Sequence, residues 1–503
     1  MAELHTLQEY VEALRTAGIL ESTYVDEVTA SLPISCLTYD SRKVEGSALF
    51  IVKGAHFKPD FLRNAIAQGA VAYVAAQAVE NVLTPAIIVN DIRTALVVLG
   101  QLFYDHPTQA LTTVGITGTK GKSTTTYYLR AILSAWLKSL GKQGPAILSS
   151  IKNFDGEREE EAHLTTPEPL ELYEHFATAR RAGISTMVME VSSQALKYGR
   201  VRGMHFAVAA FTNISEDHIS PIEHSDFEDY YTSKLKIFDA ASVAVVNADA
   251  DLAERTLAYA RERCDVLTYG SSPEYSVCCP PESIHNTPHG IEFQVISSSY
   301  TGNFMISMPG RFNVSNALCA IAIAGELGVP EEFVRSGLRA AQVPGRMEMF
   351  HSRDERIVAV VDYAHNRLSY EAVLNSIHHE YPGYPLVAVC GATGIKALDR
   401  RRDIGEVMSA YCAKLYITED DSYTEPFESI AAEIARYTTI PYEINQDRVQ
   451  SIHAAMIDFP GKHVVLVLGK GEENTQARGT EYVRVQPDSD IVRGFITEYD
   501  AHA

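Results

Sequence analysis

The sequence predicts an α/β protein of several domains built on mostly parallel sheets. Three observations predict it. A β-prone run, Leu111 to Ile116, leads into a glycine-rich turn and then a helix-favouring stretch from Ser123 to Leu140. From Val343 onward, strand-like and helix-like segments alternate at the spacing of βαβ units. At 503 residues and 46% hydrophobic content, the chain can supply cores for about two to four domains.

Composition narrows the classes. A net charge of -21 argues against nonspecific nucleic-acid binding, and an anionic substrate needs a local basic site. Met-Ala-Glu-Leu-His-Thr6 lacks a basic stretch followed by an apolar core, so no secretion signal is expected. No run of about 18 apolar residues occurs, so no membrane partner is expected. Seven cysteines are scattered, Cys278 and Cys279 are adjacent, and no C-x-x-C occurs. That argues against a disulfide framework or zinc site and for a reducing cytoplasm.

In chain order, residues 1–107 read as a small α/β unit. Leu4 to Ala17 has helical periodicity, Ala48 to Val52 reads as a strand, Asp60 to Gln68 as a helix, and Val71 to Ala75 and Pro85 to Val89 as strands. Asp40-Ser41-Arg42 falls at a strand end. Its hydroxyl and guanidinium suit a diphosphate or uracil, and a turn with a surface salt bridge accounts for it equally.

Residues 108–342 form the middle section. Its centre is Val114-Gly-Ile-Thr-Gly-Thr-Lys-Gly-Lys-Ser-Thr124. A buried strand, glycines and a helix start are the context of a phosphate-binding loop. Gly118 and Gly121 let backbone N–H groups approach phosphate oxygens, and the helix N-terminus adds partial positive charge. Lys122 is suited to the β- and γ-phosphates and the Ser123 hydroxyl to Mg²⁺. The general pattern asks for glycine where Ile116 stands, and Gly115 comes one place early. A turn that binds nothing is the alternative. Leu129, Ile132, Leu133 and Trp136 share one face of the helix.

Further on, Lys152 to Ala162 reads as an exposed loop or hairpin, and Leu164-Thr-Thr-Pro-Glu168 as a rigid hydroxyl-bearing turn or a helix cap before a helix from Pro169 to Arg181. The strand Thr186 to Met189 ends in Glu190-Val-Ser-Ser193, where a carboxylate is well placed for Mg²⁺. The strand Phe206 to Phe211 ends in Thr212-Asn213 and leads to Asp217-His218; His218 is a metal ligand or a structural histidine. Lys234 lies in a helical stretch, Phe227 to Phe238, either as an interior amine of lowered pKa or as a snorkelling surface lysine. Val243 to Ala248 is a further strand. Short β segments follow, and Gly310-Arg-Phe-Asn313 opens a small-residue helix. Asn313 and Asn316 carry amides suited to an adenine edge, and N-capping explains Asn313 as well.

Residues 343–503 carry four strands: Ile357 to Val361, Pro385 to Val389, Lys414 to Ile417 and His463 to Leu468. Each is closed by a polar loop: Asp362 to Asn366, Gly391 to Lys396, Glu419 to Tyr423, and Gly469 to Glu473. Ligand sites in open α/β sheets lie at such an edge.

Together these motifs resemble the Mur ligases, and within them the UDP-N-acetylmuramoyl-tripeptide synthetases. The likeness covers nearly the whole chain. It rests on Asp40-Ser41-Arg42, the short loop Gly118 to Thr124, Thr165-Thr166-Pro167, Glu190-Val-Ser-Ser193, Thr212-Asn213 with Asp217-His218, Lys234 ahead of Ile237-Phe238, Gly310 to Asn313, and Asp362-Tyr-Ala-His365. The resemblance implies three domains: 1–107 for the UDP end, 108–342 a central phosphate-loop ATPase, and 343–503 a Rossmann-like domain for the incoming amino acid. It implies ATP-dependent addition of a third amino acid to UDP-MurNAc-L-Ala-D-Glu through an acyl phosphate, by a monomer in the cytoplasm. Gly118, Thr119, Lys120, Gly121, Lys122, Ser123, Thr124 and Asn313 would bind the nucleotide. Ser41, Thr165, Thr166, Ser192 and Arg200 would hold the sugar-peptide. Ser123, Glu190 and His218 would serve Mg²⁺, with Lys234 carbamylated by CO₂ to hold a second ion. Lys396, Asp420, Asp421 and Glu473 would face the amino acid.

The chain departs from the family at Gln194, where histidine is usual, at Tyr198, where glutamine is common, and at Arg367, in place of proline. Diaminopimelate-adding members carry Asp-Asn-Pro-Arg where this chain has Asp420-Asp421-Ser422-Tyr423. Without that arginine the expected substrate is a diamino acid with no second carboxylate, L-lysine first and L-ornithine next, with Asp420 and Asp421 attracting its ammonium. Lys396, with Arg401 and Arg402 nearby, fits lysine-adding members. Folylpolyglutamate synthase and a nucleotide-binding scaffold that has lost chemistry are the rival readings; Thr165-Thr166 and Glu190 to Ser193 argue against the first, intact Lys122, Glu190, His218 and Lys234 against the second.

Overall fold

The computed structural model describes residues 4–54, 57–217, 219, 223–287, 289–395 and 398–502. The chain divides into two compact units, residues 1–122 with 133–269, and residues 123–132 with 270–503.

The first unit opens with a five-stranded sheet in the order Leu20–Thr23, Ala86–Val89, Ala70–Ala75, Ala48–Ile51, Cys36–Thr38. It is parallel except at the Leu20–Thr23 edge. Alternation decides its two faces. Leu49 and Ile51 pack with Leu7, Val11 and Leu14 of the helix Leu7–Thr16 and Leu96 and Leu99 of the helix Ile92–Phe103. Ala48 and Phe50 point the other way, onto Leu62 and Ala65 of the helix Pro59–Ala67. The first helix starts at Leu7, later than its periodicity predicts, because Thr6 and Glu9 form a capping box.

The second sheet of this unit runs in the order Asp265–Gly270, Ala241–Asn247, Phe206–Phe211, Thr112–Thr117, Thr186–Glu190, Ala146–Leu148, Lys152–Phe154, Glu159–Glu161. The first six strands are parallel and the last two form an antiparallel hairpin at the edge. The charged stretch 152–162 is thus a hairpin. Thr112–Thr117 lies at the centre, with Glu190 in register with Ile116 and Phe211 with Thr117. Parallel register therefore gathers the ends of three strands at one sheet edge. Gly115 belongs to this strand and not to the loop: a Cβ there would lie 2.7 Å from the Phe206 ring. Gly100 plays a similar part between helices, where a Cβ would come 2.8 Å from Tyr173 and 3.2 Å from Leu170 of the helix Pro169–Arg181.

In the second unit Gly290–Ser297 pairs antiparallel with Val277–Cys278, His285–Thr287 and Thr301–Ile306. The helices Phe312–Glu326 and Glu331–Ala340 follow. A six-stranded sheet then runs in the order Glu348–His351, Ile357–Asp362, His463–Leu468, Leu386–Cys390, Lys414–Ile417, Tyr442–Ile444, parallel except for the first strand. Ile357–Asp362 and His463–Leu468 are buried at every position, as parallel strands covered on both faces must be. Val361, Val389 and Val467 meet Ile452, Met456 and Val492 from the helices Arg448–Ile457 and Asp488–His502.

Three predicted spans shift. The helix through Lys234 is α-helical only over Phe227–Leu235 and tightens to a 3-10 turn over Lys236–Ala240. Trp136 is only partly buried, and Leu137 takes the interior position. Asn313 does not cap its helix; Arg311 holds the N-cap position and makes no side-chain cap. The strands Leu20–Thr23 and Tyr442–Ile444 and the hairpin Thr475–Arg478 with Glu481–Arg484 carry no strong apolar alternation and were not predicted. Among the described residues no cysteine is joined in a disulfide. Among the described residues no helix is long and apolar enough to cross a membrane.

The second unit also buries an ion pair. Arg448 Nε and Nη2 lie 2.7 Å from the two oxygens of Asp488, and Nη2 also donates to the Leu468 carbonyl at 3.0 Å. Removing one member strands a buried charge. Asp488→Ala is expected to lower stability by about 3–5 kcal/mol in a urea melt followed by circular dichroism.

Candidate functional site

The turn after Thr112–Thr117 is shaped by two glycines. Gly118 has φ 143° and Gly121 has φ 85°, where side chains are strained. At Gly118 a Cβ would also fall 2.0 Å from Thr212 Oγ1. The close approach reflects a clamp from the adjacent strand end. Thr212 Oγ1 and Asn213 Nδ2 both donate to the Lys120 carbonyl, at 2.6 and 3.0 Å. The Lys120 N–H donates to Asn213 Oδ1 at 2.8 Å, and the Thr119 N–H to the Asn213 carbonyl at 3.0 Å. Thr119 Oγ1 accepts from the Tyr230 hydroxyl at 3.1 Å. The loop backbone is thereby fixed before any ligand arrives. Gly121 caps the helix Lys122–Ser139, and Ser123 and Thr124 lie buried in its first turn. An N-terminus of this kind is an anion site.

Two ammonium groups meet at one point. Lys122 Nζ donates to the carbonyls of Gly118 and Thr119, at 2.9 and 3.1 Å. Lys234 Nζ donates to the same Gly118 carbonyl at 2.9 Å and lies 4.6 Å from the Tyr230 ring centre. Lys234 is 2% exposed, so it is an interior lysine and not a snorkelling one. Burial holds its pKa well below the usual lysine value, the charge of Lys122 lowers it further, and Asp217 pulls the other way.

Glu190 ends its strand fully buried. Its Oε1 accepts from the Ser150 N–H at 3.0 Å, while Oε2 is buried with no hydrogen-bond partner. An orphaned carboxylate oxygen beside a phosphate-type loop fits a hard divalent cation such as Mg²⁺. Lys120 Nζ reaches Asp217 at 3.3 Å. His218 lies outside the described residues.

The Thr165-Thr166 turn is tied to this edge. Thr166 Oγ1 donates to the Glu190 carbonyl and accepts from the Ser192 N–H, both at 3.0 Å. Its hydroxyl is thus a splice between two strand-end loops, while Thr165 stays partly exposed. Ser192 caps the helix Ser193–Lys197 through the Ala195 N–H. Arg200 donates to the Thr166 carbonyl at 3.1 Å and pairs with Glu168 at 2.8 Å. Glu168 also takes Lys53 Nζ at 2.5 Å. Burial raises the Glu168 pKa, but Lys53 and Arg200 outweigh it and hold the carboxyl below its usual value. Lys53 and Glu168 join the candidate list from geometry alone. At Asp40-Ser41-Arg42 the salt bridge forms, Arg42 Nη2 to Asp40 Oδ2 at 2.7 Å, and Ser41 starts a 3-10 turn with its side chain partly exposed. Gln194 donates to Glu223 at 3.2 Å.

In the second unit, Asn313 is buried, donates to the Pro309 carbonyl at 2.6 Å and accepts from Asn316 Nδ2 at 3.1 Å. At the edge of the six-stranded sheet, Asp362 accepts the N–H groups of Ala364 and Met347, at 2.7 and 2.8 Å. Tyr363 donates to Glu473 at 2.8 Å, with the Arg346 guanidinium 4.4 Å from its ring centre. Asp420, Asp421 and Glu473 surround Lys470 Nζ at 3.8, 3.1 and 2.9 Å. Three carboxylates around one buried ammonium leave an excess of negative charge. Arg401 is buried and committed to Glu425 and Glu433, both at 2.6 Å, and Arg402 pairs with Glu406 at 2.6 Å. Arg478 is held by Glu419 at 2.6 Å. Arg367 spans to Asp403 at 2.9 Å and to Glu406, bridging two helices. Lys396 lies outside the described residues.

Residues 116–324 match the Mur ligase middle domain and residues 345–471 the Mur ligase, glutamate ligase domain. The chain is 36% identical, over 88% of its length and 87% of the relative's, to UDP-N-acetylmuramoyl-L-alanyl-D-glutamate--L-lysine ligase of Enterococcus faecalis. It is 36% identical, over 92% of each chain, to UDP-N-acetylmuramyl-tripeptide synthetase of Bifidobacterium longum. Among solved structures, a UDP-N-acetylmuramoyl-L-alanyl-D-glutamate--2,6-diaminopimelate ligase superposes with TM-score 0.66 at 23% identity, over 99% of both chains. MurF from Acinetobacter baumannii superposes with TM-score 0.67 at 19% identity, over 98% of this chain and 99% of that one.

Because a Cβ at Gly118 collides with the Thr212 clamp, Gly118→Ala is expected to weaken Mg²⁺-nucleotide binding by roughly tenfold to a hundredfold in isothermal calorimetry. Circular dichroism of the variant is expected to match that of the parent chain.

Proposed function

This chain belongs to the Mur ligase family, and on that premise we propose that it is a UDP-N-acetylmuramoyl-tripeptide synthetase acting in peptidoglycan synthesis. In this reading it uses ATP to join a diamino acid, L-lysine first and L-ornithine second, to UDP-MurNAc-L-Ala-D-Glu. The observation that carries it is the pre-set loop Gly118 to Lys122 with the unpartnered oxygen of Glu190 at the neighbouring strand end.

A carboxylate is a poor electrophile, and phosphorylation of the D-glutamyl carboxyl gives an acyl phosphate that an amine can open. The loop N–H groups and Lys122 would hold the triphosphate and offset charge on the group being transferred. Ser123, Glu190, His218 and a carbamate on Lys234 would hold Mg²⁺, which when bound supplies positive charge at the phosphoryl oxygens. Lys234 supports this assignment by its environment: a second ammonium on the Gly118 carbonyl is unfavourable beside Lys122, so the buried amine is disposed to be neutral. A neutral amine can add CO₂ and release a proton, which turns a cation into a hard oxygen ligand.

Thr165, Thr166, Ser192 and Arg200 would line the sugar-peptide, with Ser41 toward the UDP end and Asn313 at the adenine. The working division is 1–107, 108–342 and 343–503. Asp420, Asp421 and Glu473, with Lys396, would receive the amino acid. Their surplus charge favours a side-chain ammonium, and Arg401 and Arg478 are each held by glutamates, which disfavours a second substrate carboxylate. The proposed setting is the cytoplasm, with a monomeric enzyme acting on small molecules.

Two measurements test the reading. Phosphate release by the purified chain should require both UDP-MurNAc-L-Ala-D-Glu and an amino acid, with L-lysine fastest across a panel; fastest turnover with meso-diaminopimelate would refute the specificity. Lys234→Ala should lose roughly a hundredfold or more in turnover and regain part of it with added formate or acetate, whereas unchanged turnover would remove Lys234 from the mechanism.

A further inference from the structure

We propose that Glu160, Glu171 and His175 form a second divalent-metal site, of the Zn²⁺ class, built between the edge hairpin and the helix Pro169–Arg181. Glu171 and His175 are four residues apart and share one face of that helix. Glu160 comes from the edge strand Glu159–Glu161. Their ligand atoms all lie within 4.8 Å of one another.

The histidine is what separates this cluster from ordinary surface acids. His175 is 1% exposed. Its Nδ1 lies 2.9 Å from Oδ2 of the fully buried Asp155. Asp155 is committed as an acceptor, taking the N–H groups of Glu157 and Arg158 at 3.2 and 2.9 Å and the Arg158 guanidinium at 3.1 Å. The imidazole therefore donates from Nδ1 and turns its Nε2 lone pair toward the two glutamates. A carboxylate behind the ring is the usual way a metal-binding histidine is oriented. Nε2 is buried with no hydrogen-bond partner and lies 3.5 Å from Glu160 Oε1. The neighbouring cations are engaged elsewhere, Arg158 with Asp155 and Glu174, and Lys152 with Glu159.

One imidazole and two carboxylates suit Zn²⁺, Co²⁺ or Mn²⁺ better than Mg²⁺ or Ca²⁺, which prefer all-oxygen sets. A tetrahedral ion with bonds of about 2.0–2.1 Å separates its ligands by roughly 3.3 Å. The 3.5 Å contact meets this already, and Glu160 and Glu171, neither of them buried, can close the rest by rotation. Water would complete the sphere. The ion would pin the hairpin to the helix that begins just after Thr165-Thr166-Pro167. The expectation of no zinc site came from cysteine spacing, which says nothing about a histidine–carboxylate set.

The test is Co²⁺ titration of the full chain, stripped with chelator and free of nucleotide, followed by visible absorption and by Zn²⁺ competition. The expected result is about one tightly held equivalent with a ligand-field band, retained in Glu190→Gln, which removes the Mg²⁺ ligand assigned above. Glu160→Gln and Glu171→Gln, both of which leave the His175–Asp155 contact intact, should each weaken it by about tenfold or more. No band, a band lost in Glu190→Gln, or a band unaffected by both Glu160→Gln and Glu171→Gln would overturn the proposal.

Discussion

The carbonyl oxygen of Gly118 receives two lysines, and much of the first unit is arranged so that it can. Gly118 has a backbone geometry and a side-chain clearance that only glycine meets. The Thr212-Asn213 clamp holds the peptide on its far side, and the helix Phe227–Leu235 delivers Lys234 from the interior. Central placement of Thr112–Thr117 in a parallel sheet makes the arrangement possible, because three strand ends then open onto one edge. Preorganisation of this kind matters for transfer of a charged group, since little reorganisation remains when charge moves.

The second unit shows the complementary strategy. Its sheet edge is dense in charge, and most of that charge is internally paired. Arg401, Arg448 and Arg478 are each matched to one or two carboxylates. Lys470 faces three, so the local balance stays acidic. Arg367 also acts structurally, tying the start of its helix to Asp403 and Glu406 on the next one. These ion pairs sit at the same helix N-terminus that Asn366 caps.

The apolar strands and the glycine turn were legible in the sequence because apolar runs and glycines are local signals. Glu190 was legible from its place at a strand end, but its unpaired oxygen was not, since that depends on Ser150 forty residues earlier. The periodicity around Lys234 left surface and interior open; the packing of Tyr230 and Gly118 decided it. Lys53, Glu168 and Arg200 come from three separate segments, and no spacing rule joins them. Arg401 was legible only as a basic residue near Lys396; its partners at Glu425 and Glu433 were not. Gly115 read as a displaced loop glycine, whereas packing against Phe206 accounts for it.

The tight crossing at Gly100 joins two parts of the first unit. With no side chain there, the helix Ile92–Phe103 and the helix bearing Leu170 and Tyr173 press together almost backbone to ring. The first helix packs Leu96 and Leu99 on the small sheet, and the second begins just after Thr165-Thr166-Pro167, so the crossing links the two. A methyl group added at residue 100 would force these two helices apart and shift the small sheet against the Thr165-Thr166 turn.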